Sequence, residues 1–215
     1  MTQPALANTF RRLRNTFIGD RQFYATVFML VLPIIVQNAI TNFVNLLDNI
    51  MIGQVGTPQM SGVSIANQLI FVYNVTIFGG LSGAGIFGAQ FFGARDHEGV
   101  RHTVRFKLWT AAIILAITIT VFLIFGDQLI SMFLTGAGDA SERAAMLEHA
   151  RNYLLIMLWG LLPFALSQVY GGTLRETGET MLPMKASLAG VITNLCLNYI
   201  LIYGKLGFPA LGVAG

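Results

Sequence analysis

Charge is scarce in this sequence. Only 11% of its 215 residues are Asp, Glu, Lys or Arg, where soluble domains average about 25%. That deficit rules against a water-exposed surface, and a mean hydropathy of +0.66 places the chain among integral membrane proteins. There is one cysteine, Cys196, within an apolar run, so neither an intramolecular disulfide nor a thiolate metal cluster can form. Three histidines, His97, His102 and His149, lie near the ends of apolar runs without a partnering cysteine, and no metal site is expected from them. No Walker A motif occurs, which argues against a nucleotide-driven pump. An intramembrane enzyme would need paired carboxylates, a serine with a base, or histidines inside spans; none stands out, and no enzymatic activity is expected. The net charge of +3 is small and its basic residues sit between apolar runs, a distribution that bears on topology and gives no reason to expect nucleic acid as a partner.

Apolar sequence is what the chain has in quantity. With 54% hydrophobic residues in 215, there is room for five or six spans of about 20 residues. Residues 1–22, with Arg11, Arg12, Arg14 and Arg21 against Asp20, read as a cytoplasmic amphipathic lead-in, and the apolar run after Arg21 is too long for a cleavable signal peptide. Spans are expected at 23–53, 60–93, 108–125, 153–170 and 183–203, with the opening of a sixth at the end. The connections ARDHEGVRHTVRFK, TGAGDASE and GGTLRETGETMLPMK read as loops. In the second span, Gly79, Gly80, Gly83, Ala84 and Gly88 include small residues four apart, a pattern that lets membrane helices approach closely. Gly83, Gly85 and Gly88 also spell a G-x-G-x-x-G, but no strand precedes it and position 108 is leucine, so a dinucleotide fingerprint is rejected. With the N terminus inside, ten of the 13 Lys and Arg residues, Lys107 among them, fall on the cytoplasmic side and three, Arg143, Arg151 and Lys205, on the other. This fits the positive-inside rule.

One stretch, PIIVQNAITNFVNLLDNIMIG from Pro33 to Gly53, organises the rest. Asp48 is the acid that lies well inside an apolar run, and a carboxylate at bilayer depth costs about 2.5 to 3.5 kcal/mol on insertion scales and marks an ion or substrate path by default. Asn38, Thr41, Asn42, Asn45, Asp48 and Asn49 recur at spacings of three and four, which places them on one helical face. A hydrogen-bonded seam that only glues helices is the bland alternative for the amides. Pro33 removes a backbone hydrogen bond and is the expected hinge. Asn67 and Asn74 add polar groups to the second span. In the fifth, Ser187, Gly190, Asn194 and Asn198 share one face.

Three segments carry a family resemblance: LPIIVQ followed by LLDNIMIG, GVSIANQL at the entry of the second span, and TNLCLNYILIYGKLGFPALGVAG. On these the chain resembles the multidrug and toxic compound extrusion (MATE) transporters over about Tyr24 to Gly215. The resemblance implies an all-α integral membrane protein, with five complete transmembrane helices plus the start of a sixth corresponding to one lobe of a twelve-helix, two-lobe transporter. Residues 1–22 would be the cytoplasmic N-terminal segment and 23–215 the incomplete N-terminal transmembrane lobe. It implies antiport in the cell (inner) membrane, exporting drugs or toxic organic cations in exchange for H⁺ or Na⁺. No cofactor is expected beyond the coupling ion, and no metal beyond a possible Na⁺ at Asp48. The expected partners are membrane lipid, a small-molecule drug or organic cation, and the missing C-terminal lobe, without which the chain is not expected to transport. Asp48 matches the ion-linked acid of the family's first helix, and Asn194 and Asn198 match the polar residues of its fifth that close that cation site; some relatives carry a second acid where this chain has Asn198. Gln37, Thr41, Asn45, Asn67 and Asn74 are expected to line the substrate cavity. The alternative is a lipid-linked precursor flippase of the same superfamily, in which more cationic residues would face the cavity.

Overall fold

The computed structural model describes residues 18–53, 57–134, 139–204, 206, 207 and 209. Most of the 1–22 segment and the opening of the sixth span therefore lie outside the described residues. The rest forms five helices: α1 (Arg21–Gly53), α2 (Thr57–Gly93), α3 (His97–Phe133), α4 (Ala140–Glu176) and α5 (Met181–Tyr203). Each is long and apolar enough to cross a membrane, and the chain is a multi-pass membrane protein.

Two helices are far longer than the sequence reading allowed. The spans expected at 108–125 and 153–170 are the middles of 37-residue helices, each about 55 Å long at 1.5 Å per residue and so well beyond a hydrocarbon core of about 30 Å. Hydropathy falls where charged residues begin, but the backbone stays helical because its free N–H groups are capped. The Asp96 carboxylate accepts from the N–H of Glu98 at 3.1 Å and of Gly99 at 2.9 Å, and Asp139 accepts from the N–H of Glu142 at 2.9 Å. Most of the ARDHEGVRHTVRFK connection is thus the first turns of α3, and GGTLRE is the last of α4. At α5 the helix begins two residues ahead of Pro183, where Glu179 Oε1 accepts from Met181 N at 3.1 Å and Leu182 N at 3.0 Å. It ends at Gly204, whose φ of 64° suits glycine.

α2, α3 and α4 make a three-helix bundle, with α2 and α4 in the most extensive contact. Ala66, Ile70, Tyr73 and Ile77 recur at three- and four-residue steps on α2 and are buried in one cluster with Ala150, Leu154, Leu161, Ala165 and Val169 of α4. The Tyr73 hydroxyl, deep in this interface, donates to the Leu161 carbonyl at 3.0 Å, so the one polar atom of the ring is satisfied. At Gly62 an added Cβ would stand 2.9 Å from both Ala150 N and Met146 O. Backbone meets backbone there, and only glycine fits. α1 packs chiefly on α5 and more lightly on α2, while α5 touches α4 only lightly. A seam therefore runs between the α1–α5 pair and the bundle.

Candidate functional site

Asp48 lies in the last turns of α1 and Asn198 in the last turns of α5. Because these helices are paired, Asn198 Nδ2 donates to Asp48 Oδ1 at 2.8 Å, and to Asn194 Oδ1, one turn back on its own helix, at 3.3 Å. Both amide hydrogens are used, which among the described residues leaves Asn198 Oδ1 as a spare acceptor beside a carboxylate that holds one charge-assisted bond. Among the described residues no Lys or Arg reaches Asp48; the ion pairs join other residues. Among the described residues the carboxylate therefore has one amide partner and no neutralising charge.

It opens into a cavity of about 640 Å³ in the seam, walled by Asn45, Asp48 and Asn49 of α1, Asn67 and Asn74 of α2, Tyr153 of α4, and Asn194 and Asn198 of α5, with Ile70, Phe71, Ile156, Met157 and Ile202 between them. One negative charge faces a ring of uncharged amides and apolar walls. The Tyr153 hydroxyl donates to Asn67 Oδ1 at 3.3 Å and so ties α4 to α2 at the cavity rim. The sequence reading used Tyr153 only to mark the start of a span; a lone tyrosine entering an apolar run was the available signal.

Gln37 and Thr41, expected in the same cavity, instead line a second cleft of about 590 Å³ between α1, α4 and α5. Asn194 borders both spaces. Asn38 and Asn42 line neither and are exposed. At about 100° per residue, the six polar residues of α1 spread over roughly 120°, so the stripe is wide enough for its parts to meet different surroundings. Pro33 is buried within an α1 that runs without interruption from Arg21 to Gly53. Ser187, Gly190 and Asn194 face the second cleft, and Asn194 and Asn198 face the first, so the polar face of α5 follows the seam.

One charged pair was not foreseen. Lys107, taken from sequence for a cytoplasmic loop residue, is 1% exposed on α3, where its ammonium donates to Glu176 Oε2 and, at 3.4 Å, to Thr173 Oγ1 of α4. It no longer counts as a loop charge, and nine basic residues remain on the side assigned to the cytoplasm, against three. Gly85 and Gly88 leave room for the Glu176 carboxylate, since a Cβ at Gly88 would lie 2.7 Å from Glu176 Oε2. Those glycines of α2 admit a buried ion pair, whereas a Cβ at Gly79 or Gly83 would meet nothing within 4 Å. Close helix approach, expected of the whole cluster, holds at Gly80, where the Ile114 Cδ1 of α3 would be 2.8 Å away. The pair borders a separate pocket of about 390 Å³ together with Arg175, so cations do occur in the long helices, away from Asp48. Among the described residues no three His, Cys, Asp or Glu side chains gather as metal ligands.

Comparison with known proteins decides the family. The MatE family model matches residues 33–200, a range that runs from Pro33 in α1 to Ile200 in the last turn of α5 and takes in every residue of the Asp48 cavity except Ile202. The chain belongs to the MatE family. A probable multidrug resistance protein NorM of Thermotoga maritima is 30% identical over 86% of this chain and 39% of its own length. The NorM of Rhizobium meliloti is 31% identical over 80% of the chain and 35% of its own. Among solved structures, a multidrug resistance MATE transporter of the MOP superfamily in its outward-facing conformation superposes with a TM-score of 0.71 at 25% identity, covering 88% of this chain and 40% of that one. A MOP superfamily transporter from Pyrococcus furiosus, in which a binding pocket of reverse polarity suggests a different function, matches with a TM-score of 0.71 at 26% identity, again over 88% and 40%. The chain thus spans about two fifths of these relatives, consistent with one N-terminal lobe of a MatE transporter.

Proposed function

We propose that this chain is the N-terminal lobe of an antiporter that exports drugs or toxic organic cations in exchange for H⁺ or Na⁺, with Asp48, Asn194 and Asn198 as the coupling site. The observation that carries the reading is the bond from Asn198 to Asp48 inside a cavity whose lining holds that one carboxylate and no cation. Such a site has two ways to be neutral: a proton on Asp48, or a cation beside it. A small ion and an organic cation compete for the same charge, which is the requirement for exchange. Na⁺ would find hard oxygen donors in Asp48, Asn45, Asn49 and the free Asn198 Oδ1, and apolar Ile70, Phe71, Ile156 and Met157 offer a drug its hydrophobic contact. Asn45, Asn67 and Asn74 would orient the substrate, and Pro33 would serve as the hinge of α1 on ion release.

Alternating access requires a second lobe to rock against this one, so the partner is a C-terminal lobe, and transport belongs to the two together. The flippase reading is less favoured, because no Lys or Arg lines the Asp48 cavity: Lys107 borders a separate pocket, and Arg175 borders that pocket and the far part of the second cleft. The excess of basic residues on one side supports a cytoplasmic N terminus. The test is Asp48→Asn in the two-lobe transporter reconstituted in vesicles: it preserves shape but cannot titrate. It should abolish ion-driven export with insertion unchanged; undiminished export would refute the assignment.

A further inference from the structure

We propose that the second cleft is a water-filled route by which the coupling ion passes between Asp48 and the end of the lobe that carries the turn Thr177–Thr180. This rests on the reading of Asp48 as the coupling residue and adds a path to it. The cleft, about 590 Å³, has two ends. At one stands Asn194, which also borders the Asp48 cavity and is tied to Asp48 through Asn198. At the other stand Leu174, Arg175 and Leu182, on either side of that turn.

The walls between these ends call for water. Gln37 from α1, Ser167 from α4 and Ser187 from α5 converge on the cleft. Gln37 and Ser187 are half-buried, and among the described residues their side chains have no hydrogen-bond partner. The Thr41 hydroxyl donates to the Gln37 carbonyl of its own helix at 3.0 Å and keeps its acceptor lone pairs facing the space. Polar side chains in such positions are satisfied by ordered water, which bridges groups almost as well as a direct bond. The volume admits on the order of ten waters or more. The space exists because α4 and α5 barely touch, and it is open beside Gly190, where an added Cβ would meet nothing within 4 Å. Arg175 donates its Nε to the Gly171 carbonyl at 3.1 Å, and among the described residues it has no carboxylate partner. Its charge at the mouth opposes cations in general, most strongly one that must shed its water to enter, so a small ion that keeps its screening hydration shell is opposed less than an organic cation.

The test is side-resolved thiol labelling of the chain inserted in membrane vesicles, with Cys196→Ala as background. Gly190→Cys and Ser187→Cys probe the cleft; Leu188→Cys and Ile192→Cys, at exposed apolar positions of the same helix, are the controls. The reagent is the anionic, impermeant methanethiosulfonate ethylsulfonate, which Arg175 does not repel. Glu179→Cys and Ser141→Cys report the two membrane sides. The expected result is reaction at Gly190→Cys and Ser187→Cys at least tenfold faster than at the controls, and only from the side that labels Glu179→Cys. Rates equal to the controls, or labelling only from the Ser141 side, overturn the route. Labelling is read without transport, so its failure leaves Asp48 to its own test, and an Asp48→Asn variant that still couples leaves the labelling result standing.

Discussion

Lys107→Met should be among the most damaging single substitutions in this lobe. The lysine is 1% exposed and Glu176 19%, and apart from a 3.4 Å contact with Thr173 Oγ1 the ammonium has one partner. Removing the cation leaves a carboxylate enclosed between α2, α3 and α4, pressed against the cradle of Gly85 and Gly88. Breaking a buried pair in this way costs about 3–5 kcal/mol, or roughly two to four powers of ten in the unfolding equilibrium. The double variant Lys107→Met with Glu176→Gln removes both charges and should recover more than half of that loss, because the penalty lies in the orphaned charge and not in the absent attraction. Stability is read by titrating the micelle-solubilised chain with SDS and following helicity, with all variants in one detergent. A loss below about 1 kcal/mol for Lys107→Met, the size of a solvated surface pair, would refute the reasoning. A double variant no better than the single would do the same.

Gly62→Ala should destabilise the α2–α4 contact by about 1–3 kcal/mol in the same titration, since the methyl group would lie 2.9 Å from backbone atoms Ala150 N and Met146 O that cannot turn aside; a neutral result would mean that the helices separate freely. With Cys196 replaced, Ser141→Cys should react with an impermeant thiol reagent in intact cells and Glu98→Cys should not, and the reverse pattern overturns the cytoplasmic N terminus. The Glu142 N–H and the Ser141 hydroxyl hold the Asp139 carboxyl below its ordinary value, so the cap's contribution is present above that value and lost as pH falls through the lowered one. The amide protection factor of Glu142 should accordingly drop in strong acid and stay level from about pH 5 to 7, and a drop near neutrality would contradict this.

The membrane class, five helices and Asp48 were legible because the bilayer imposes long apolar runs and makes an intramembrane acid conspicuous. The meeting of Asp48 and Asn198 was expected through the family resemblance, in which polar residues of the fifth helix close the site of the first-helix acid; the residues alone showed only shared polarity on two helices, because the choice of α5 by α1 is a tertiary fact with no local signal. Lengths of α3 and α4 were misjudged because hydropathy reports where lipid ends and not where the helix does; the D-x-E of Asp96–Glu98 and the D-x-x-E of Asp139–Glu142 carried the capping information. Lys107 misled for a similar reason. A lysine among arginines reads as a loop charge until a glutamate 69 positions away supplies its counter-ion. The two-cavity division of Gln37 and Thr41 from Asn45 was likewise invisible, since neighbours four residues apart on one face meet whatever the opposing helices present.

Asn198 provides the sharpest separation between a coupling site and mere glue. Asn198→Leu removes both amide donors, the 2.8 Å bond to Asp48 and the 3.3 Å bond to Asn194, and places a branched apolar group against a carboxylate that has no ion-pair partner among the described residues. A hydrogen bond to a charged group contributes about 1.5–3 kcal/mol net, so the affinity of the charged site for its ion, or for an organic cation, should change by at least tenfold. Leu197→Ala on the same turn is the comparison: Leu197 is 48% exposed and borders neither cavity, so its truncation alters packing without touching the network. In the two-lobe transporter, export should be measured at saturating drug while the ion gradient is varied. If Asn198 positions the coupling carboxylate, Asn198→Leu shifts the ion concentration for half-maximal export by tenfold or more, and Leu197→Ala leaves it within twofold. If the amides are glue, both variants lower the amount of folded transporter without moving that midpoint, and the assignment of Asn198 to the coupling site fails.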